Sequence, residues 1–479
     1  MTFRRLMQFE LQALRAQRLI VAVLVGLALA CAYAVTYGGN VNHSQLIIID
    51  SLQRARAGTV DSLRRDLGRG MQISSDTGFE GRSGLTNLDD YVAVIAAKAP
   101  HPLQALAIGQ ADVLPYQRVI SARSLYYDGG TIRLRGAQPE IRNPEKQLAG
   151  NFDLAFVVVY LVPLVLIALC YNVLSDDAEF GTLALVRSSP VPVATLVLWR
   201  VAVRTGVVCL IVGSAAAVAL LTVSRGSGLD GVWWLLVVLA YSVFWGAMST
   251  GISARRGAGG TSAMILLGAW LACIVVIPAI VSAVVDARNP VTSRADLLSV
   301  AREKVGMLWD APHTTTFGPF WAANPDLRRD TVVRRPAYTE QFAVWHFNLT
   351  RLLAPVAAPY DQLVARRQRD GRRFGVISPA LVTASALAAL ARSDLRSNLA
   401  FEDTVLAFQG RRARLADSLT FSAARFSPQQ FQSLEPWPLA TDYGVGHARA
   451  YAAMAIALLL TVGILIALAA RHSLRRHLA

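Results

Sequence analysis

Residues 154–173 read LAFVVVYLVPLVLIALCYNV, a run of twenty uncharged positions that follows Asp153. A helix of that length rises about 30 Å, the thickness of a bilayer's hydrocarbon core, and a helix satisfies its own backbone there without water. Five further runs of the same kind stand at 19–37, 205–223, 232–252, 261–285 and 451–470. None contains an ionised side chain. Arg204, Arg256, Asp286, Arg449 and Arg471 stand at or near their ends, as expected when a charge at mid-bilayer costs about 3 kcal/mol or more. The six runs predict an α-helical polytopic membrane protein with six transmembrane helices.

Composition agrees. The 479 residues are 54% hydrophobic and 16% charged, against about 25% charged in a soluble domain, which rules out a soluble enzyme. All but Lys98, Lys146 and Lys304 of the 47 basic residues are arginine, a bias that fits a GC-rich bacterial gene. The net charge of +15 would suit a nucleic-acid binder, but the positions of the arginines decide against one. Twelve of them crowd the short segments on one side: Arg4, Arg5, Arg15 and Arg18 before the first run; Arg187, Arg200 and Arg204 between the second and third; Arg255 and Arg256 between the fourth and fifth; Arg471, Arg475 and Arg476 after the last. Only Arg225 lies in the short loop opposite. By the positive-inside rule both termini are cytoplasmic and segments 38–151 and 286–449 lie outside. A cleaved signal peptide at Ala32-Tyr33-Ala34 or Ala30-Cys31 is disfavoured, because the apolar run is too long and an 18-residue amphipathic stretch precedes it.

The outer segments, 114 and 164 residues long, are each large enough to bury a core of their own. Cys31, Cys170, Cys209 and Cys273 all fall inside spans, so no disulfide supports these segments. The first reads as mixed α/β, with a helix over 47–67 and a hairpin around Gly129-Gly130. The second reads as mainly α, with helices over 293–308, 338–353, 360–373, 379–392 and 397–421. The apolar stretch 377–391 is too short to cross a bilayer and is expected as a buried helix of that second domain. Arg366, Arg367, Arg369, Arg372 and Arg373 form the densest basic run; a solvated helix face is the ordinary reading, an anionic ligand or lipid headgroup the sharper one. Phe317, Phe320, Trp321, Trp345 and Phe347 are expected as core rather than a ligand cage. The scattered histidines have no metal-ligand spacing.

One segment carries a mechanism. Between the second and third spans stand Asp176, Asp177, Ala178, Glu179, Phe180, Gly181, Thr182 and Leu183, with Ser189-Pro190 following. Acids ahead of a short apolar stretch suit the positive end of a brief helix, and such a helix at a membrane surface can dock in a groove on a partner. The pattern acid-x-Glu-x-Gly-Thr-Leu followed by a Ser-Pro break resembles the coupling segment of ABC-2 type transporter permeases. Asp177 matches the first Glu of the family's Glu-Arg-Glu-x-Gly-Thr-Leu, and Glu179, Gly181, Thr182 and Leu183 match directly. Ala178 replaces the Arg, and Arg200 matches a basic residue at the start of the next span. An N-terminal amphipathic helix also fits, with Phe3, Leu6, Met7, Glu10, Leu11 and Leu14 on a stripe opposite Arg4, Arg5, Arg15 and Arg18. Within the family the chain resembles the bacterial branch with two large extracytoplasmic domains, where Ile377-Ser378-Pro379-Ala380-Leu381 is similar to a recurring motif.

The resemblance implies the following division: an interface helix 1–18; spans at 19–37, 152–173, 205–223, 232–252, 261–285 and 450–470; a coupling segment 174–204; extracytoplasmic domains 38–151 and 286–449; and a tail 471–479. It implies a permease in the bacterial inner membrane that exports or extracts a substrate. No lysine sits in a Walker A context, since Ala99, Gln147 and Val305 follow the three of them. ATP and Mg therefore belong to a separate ABC ATPase dimer. A second permease copy or paralogue would complete the pore, and a periplasmic partner could meet the outer domains. The chain itself is then no enzyme and needs no cofactor. The alternative within the same class is mechanotransmission, in which the outer domains move and nothing is carried across.

Overall fold

The computed structural model describes residues 3–68, 94–120, 127–128, 131–132, 151–182, 184, 188, 191–254, 259–290, 294–328, 336–421, 437–440, 443 and 445–478. Among the described residues, six helices are long and apolar enough to cross a membrane: span 1 (Arg18–Ser62), span 2 (Leu154–Asp177), span 3 (Val193–Thr222), span 4 (Gly228–Ser253), span 5 (Gly259–Arg288) and span 6 (Gly446–Leu474). This is an α-helical polytopic membrane protein. The other α-helices among the described residues are α1 (Phe3–Ala16), α2 (Ser175–Glu179), α3 (Arg294–Trp309), α4 (His313–Ala323), α5 (Tyr338–Gly375), α6 (Pro379–Leu390) and α7 (Leu395–Phe421). We call the side of the bundle that carries α1 and α2 the near side, and the side of the two long segments the far side.

Span 4 is the hub. It packs against spans 2, 3, 5 and 6 and buries Trp234, Tyr241, Phe244 and Trp245 completely or nearly so. Spans 2 and 5 each contain one π turn, Val157–Leu161 and Ala272–Val276, placed just before Pro163 and Pro278. Proline has no N–H to give, so carbonyls in these turns need other donors. The Tyr241 hydroxyl donates to the Val159 carbonyl at 3.0 Å, and the Ser378 hydroxyl donates to the Cys273 carbonyl at 2.7 Å.

Several sequence expectations are corrected. The helix that begins with the first apolar run does not stop near Tyr37; it runs Arg18–Gly68 and absorbs the separate helix expected over 47–67. Gly38 does not break it. A short 3-10 helix, Pro102–Ala105, crosses there so closely that a Cβ on Gly38 would lie 1.8 Å from the Ala105 carbonyl oxygen. Span 3 begins at Val193, not at residue 205, and carries Arg200 and Arg204 within its helix. The two helices expected over 338–353 and 360–373 are the single α5, which tolerates Pro355 and Pro359. Arg351, Pro355 and Pro359 share one exposed face, so the carbonyls left without donors meet water. Helix α4 was not expected, since its Pro319 and three threonines hide the periodicity.

The largest correction concerns α6. It is buried as expected, but not in the core of the second long segment. Ala380, Val382, Ala386, Leu387 and Leu390 join the hydrophobic core of the bundle, against spans 2, 4, 5 and 6. Its N-cap Ser378 reaches Cys273, halfway along span 5, while Arg392, just beyond its end, pairs with Asp230 at the far-side start of span 4. Twelve helical residues rise about 18 Å, so α6 runs from the middle of the bundle back to its far end.

The two long segments share one hydrophobic cluster, and the second also has clusters of its own. Strands β1 (Val94–Ala97) and β2 (Gln117–Ile120) pair antiparallel in the first, and their Ala96 and Ile120 pack with Phe401, Val405, Phe408, Trp437 and Tyr443 of the second. The Trp437 indole N–H donates to the Ala97 carbonyl at 2.9 Å, and Arg118 pairs with Glu402 at 2.9 Å. A second antiparallel pair, β3 (Tyr127–Asp128) and β4 (Thr131–Ile132), forms the hairpin expected from the sequence. Phe317, Phe320 and Trp321 are core residues, packed with Val344 and Phe421, and Phe347 packs against them. Trp345 is half-buried and lines a cavity of about 240 Å³ with Trp309, His313 and Gln341.

Candidate functional site

On the near side, α2 continues from the end of span 2. The Asn172 amide donates to Asp176 at 2.6 Å, which ties the first turn of α2 back to the span. Asp176 and Asp177 occupy that turn, where carboxylates are favoured by the helix dipole. Asp177 is then held from span 3: Arg200 donates to its carboxylate at 2.5 Å and to the Val173 carbonyl at 3.0 Å. Four residues further along, Arg204 binds Glu10 of α1 at 2.7 Å and also donates to the Leu169 carbonyl. Glu10 lies 3.9 Å from Arg200 through its other oxygen. The result is one chain of charges joining α1, span 3 and α2, with Glu10 and Arg204 buried.

Glu179 ties the turn to span 5. Its carboxylate accepts the backbone N–H of Gly259 at 3.2 Å, at the first turn of span 5, where an acid is again favoured. The Thr182 hydroxyl lies 3.3 Å from the Asp177 carboxylate. Between these anchors the chain turns outward. Phe180 is 79% exposed, and Gly181 has φ +72°, a left-handed conformation that suits glycine and ends α2. A projecting aromatic thus sits on a turn braced to spans 2, 3 and 5.

Asp176, Asp177, Glu179, Phe180, Gly181, Thr182 and Arg200 therefore come together. Leu183 lies outside the described residues. Arg4 and Arg5 fall on α1, and Arg15 and Arg18 are exposed. The sequence reading missed Arg204 as a site residue, taking it as a flanking charge. The available signal was its spacing of four from Arg200, which puts both guanidiniums on one helix face, opposite an acid lodged in an apolar stripe.

A second polar cluster closes the far end of the bundle. Asp230 accepts from Arg392 at 3.0 Å and from Arg449 at 2.5 Å. Lys98 donates to the Arg392 carbonyl at 2.7 Å. Burial pushes the Lys98 ammonium down to about 8 from its ordinary 10.5, Asp394 opposing the shift and Arg392 adding to it. Below pH 8 the folded state bears the penalty of the buried cation. Between pH 8 and 10.5 the folded state has released a proton that the unfolded chain still holds, so stability rises across that window, by a total on the order of 3 kcal/mol. The melting temperature of the wild type relative to Lys98→Met, followed from pH 7.5 to 10.5, should increase. A flat difference would contradict the assignment.

Residues 296–439, which take in most of α3 and all of α4 to α7, match the family described as Domain of unknown function (DUF3526). No curated protein and no solved structure matches the chain.

Proposed function

We propose that the chain is the membrane-spanning permease subunit of an ATP-driven ABC-2 type transporter, exporting or extracting a substrate across the bacterial inner membrane. The observation that carries this reading is the braced turn at Phe180 and Gly181. An exposed aromatic on a turn tied to three spans is a surface on which a partner can push, and a push there moves spans 2, 3 and 5 together. The motif from Asp177 to Thr182 supports the choice of an ABC ATPase dimer as that partner, with ATP and Mg bound on the ATPase. A second permease copy or paralogue would complete the assembly.

Mechanotransmission is the second reading, favoured by α6. A helix wedged among spans 2, 4, 5 and 6 and continuous with α5 and α7 would carry any rearrangement of the spans into the far-side segments. Uptake of cargo into inverted vesicles, or its absence despite ATP-dependent movement of the far side, separates the two.

The test of the shared premise uses the full chain, tagged and purified from its native membrane. ATP hydrolysis should copurify. Phe180→Ala and Gly181→Trp should each leave the melting temperature within a few degrees of wild type and reduce ATPase stimulation tenfold or more. Exposed Leu439 on the far side provides the control, and Leu439→Ala should have no effect. Unchanged stimulation in the turn variants, or no ATPase in the preparation, would count against this reading.

A further inference from the structure

The C-terminal third of α5 descends along span 5 from the far-side surface. Arg367 pairs with Asp286 and donates to the Asn289 carbonyl at 3.0 Å, which fixes that turn of α5 at the end of span 5. Arg372 binds Asp394 at 2.5 Å and lies over the ring of Tyr451 at the start of span 6, 5.1 Å from its centroid. By Ser378 the chain has reached the midpoint of span 5, at Cys273. The stretch from 366 to 377 therefore crosses the depth at which lipid headgroups give way to acyl chains.

The basic run splits cleanly here. Arg367 and Arg372 are engaged with the protein, and Asp370, the only acid between 366 and 373, is turned to the Asn289 amide at 2.9 Å. Arg366, Arg369 and Arg373 are exposed. Their spacing of three and four places them on one helix face, and the next position on that face, Ile377, is 67% exposed beyond the end of α5. Span 5 beside it also leaves Val276, Ile280 and Val284 exposed. Three cations at headgroup level, followed at greater depth by apolar side chains, match an amphiphile with an anionic head.

We infer that the descending end of α5 binds an anionic phospholipid of the adjoining leaflet, with Arg366, Arg369 and Arg373 on the phosphate headgroup and Ile377 against an acyl chain. This rests on the membrane-spanning bundle alone and holds for either functional reading. Its consequence is that α5, and α6 beyond it, are anchored to lipid as well as to protein.

The experiment titrates the full chain, purified in a neutral detergent, with phosphatidylglycerol and separately with phosphatidylcholine of the same acyl chains, counting bound lipid by native mass spectrometry. Phosphatidylglycerol should bind more tightly, and the preference should shrink as salt is raised. Each arginine near an anionic headgroup is worth about fivefold, so the triple variant Arg366→Gln/Arg369→Gln/Arg373→Gln should lose on the order of a hundredfold in phosphatidylglycerol affinity. Arg351→Gln, exposed higher on the same helix, should lose none. Ile377→Asn should weaken both lipids and keep the preference between them. Equal affinity of the wild type for the two lipids, or an unaltered triple variant, would overturn the inference. Displacement of phosphatidylglycerol by equimolar glycerol phosphate would likewise overturn it, by making the site one for a free anion.

Discussion

Asp230→Asn is expected to lower the unfolding free energy of the detergent-solubilised protein by about 3–5 kcal/mol. Arg392 has no exposed side-chain surface, and an arginine does not shed its proton. Asp230 is the carboxylate that both Arg392 and Arg449 contact, so an amide in its place leaves one guanidinium buried without a counter-charge and a second beside it. The loss should appear in thermal unfolding. The double variant Asp230→Leu/Arg392→Met should recover most of it, because an apolar pair in place of a buried ion pair is often near neutral. A melting temperature for Asp230→Asn equal to that of the wild type would mean that the cluster contributes little.

Glu10→Ala should have an effect of similar size on the near side, again about 3 kcal/mol or more, by leaving Arg204 buried beside the Leu169 carbonyl with no carboxylate. Its second consequence is local. Helix α1 loses the ion pairs that join it to span 3, so limited proteolysis should cut within residues 3–16 in the variant and spare them in the wild type. Exchanging the charges, Glu10→Arg with Arg204→Glu, should restore part of the protection. Cleavage that is identical in all three proteins would show that α1 is held by its apolar stripe alone.

The spans were legible because lipid imposes a one-dimensional rule: no charge for about twenty residues, and charges at the ends. That rule found all six and located the acidic turn at Asp176 and Asp177. It erred where a charge inside a helix has a partner far away in sequence, as with Arg204 and Glu10, which moved the expected start of span 3 by twelve residues. The fate of α6 was hidden for a related reason. Its apolar composition is equally suited to a soluble core and to the middle of the bundle, and only the contact of Ser378 with Cys273, more than a hundred residues away, distinguishes them. The direction of Glu179 toward Gly259 was likewise invisible, since the motif places the residue but not the helix end it meets.

The shared core of the two long segments bears on how the chain is made. The Trp437 indole that closes on Ala97 is 340 positions downstream of it. At about 5–20 residues per second, a ribosome needs roughly 15–70 s to cover that distance. Throughout this interval Ala96 and Ile120 of strands β1 and β2 lack the aromatic partners that will bury them. The first segment must therefore wait, incompletely packed, while four more spans are inserted. Biogenesis then depends on whatever shields a nascent far-side segment over that time, and a truncated chain ending before Trp437 should be a substrate for quality-control proteolysis even when all of its earlier spans are in place.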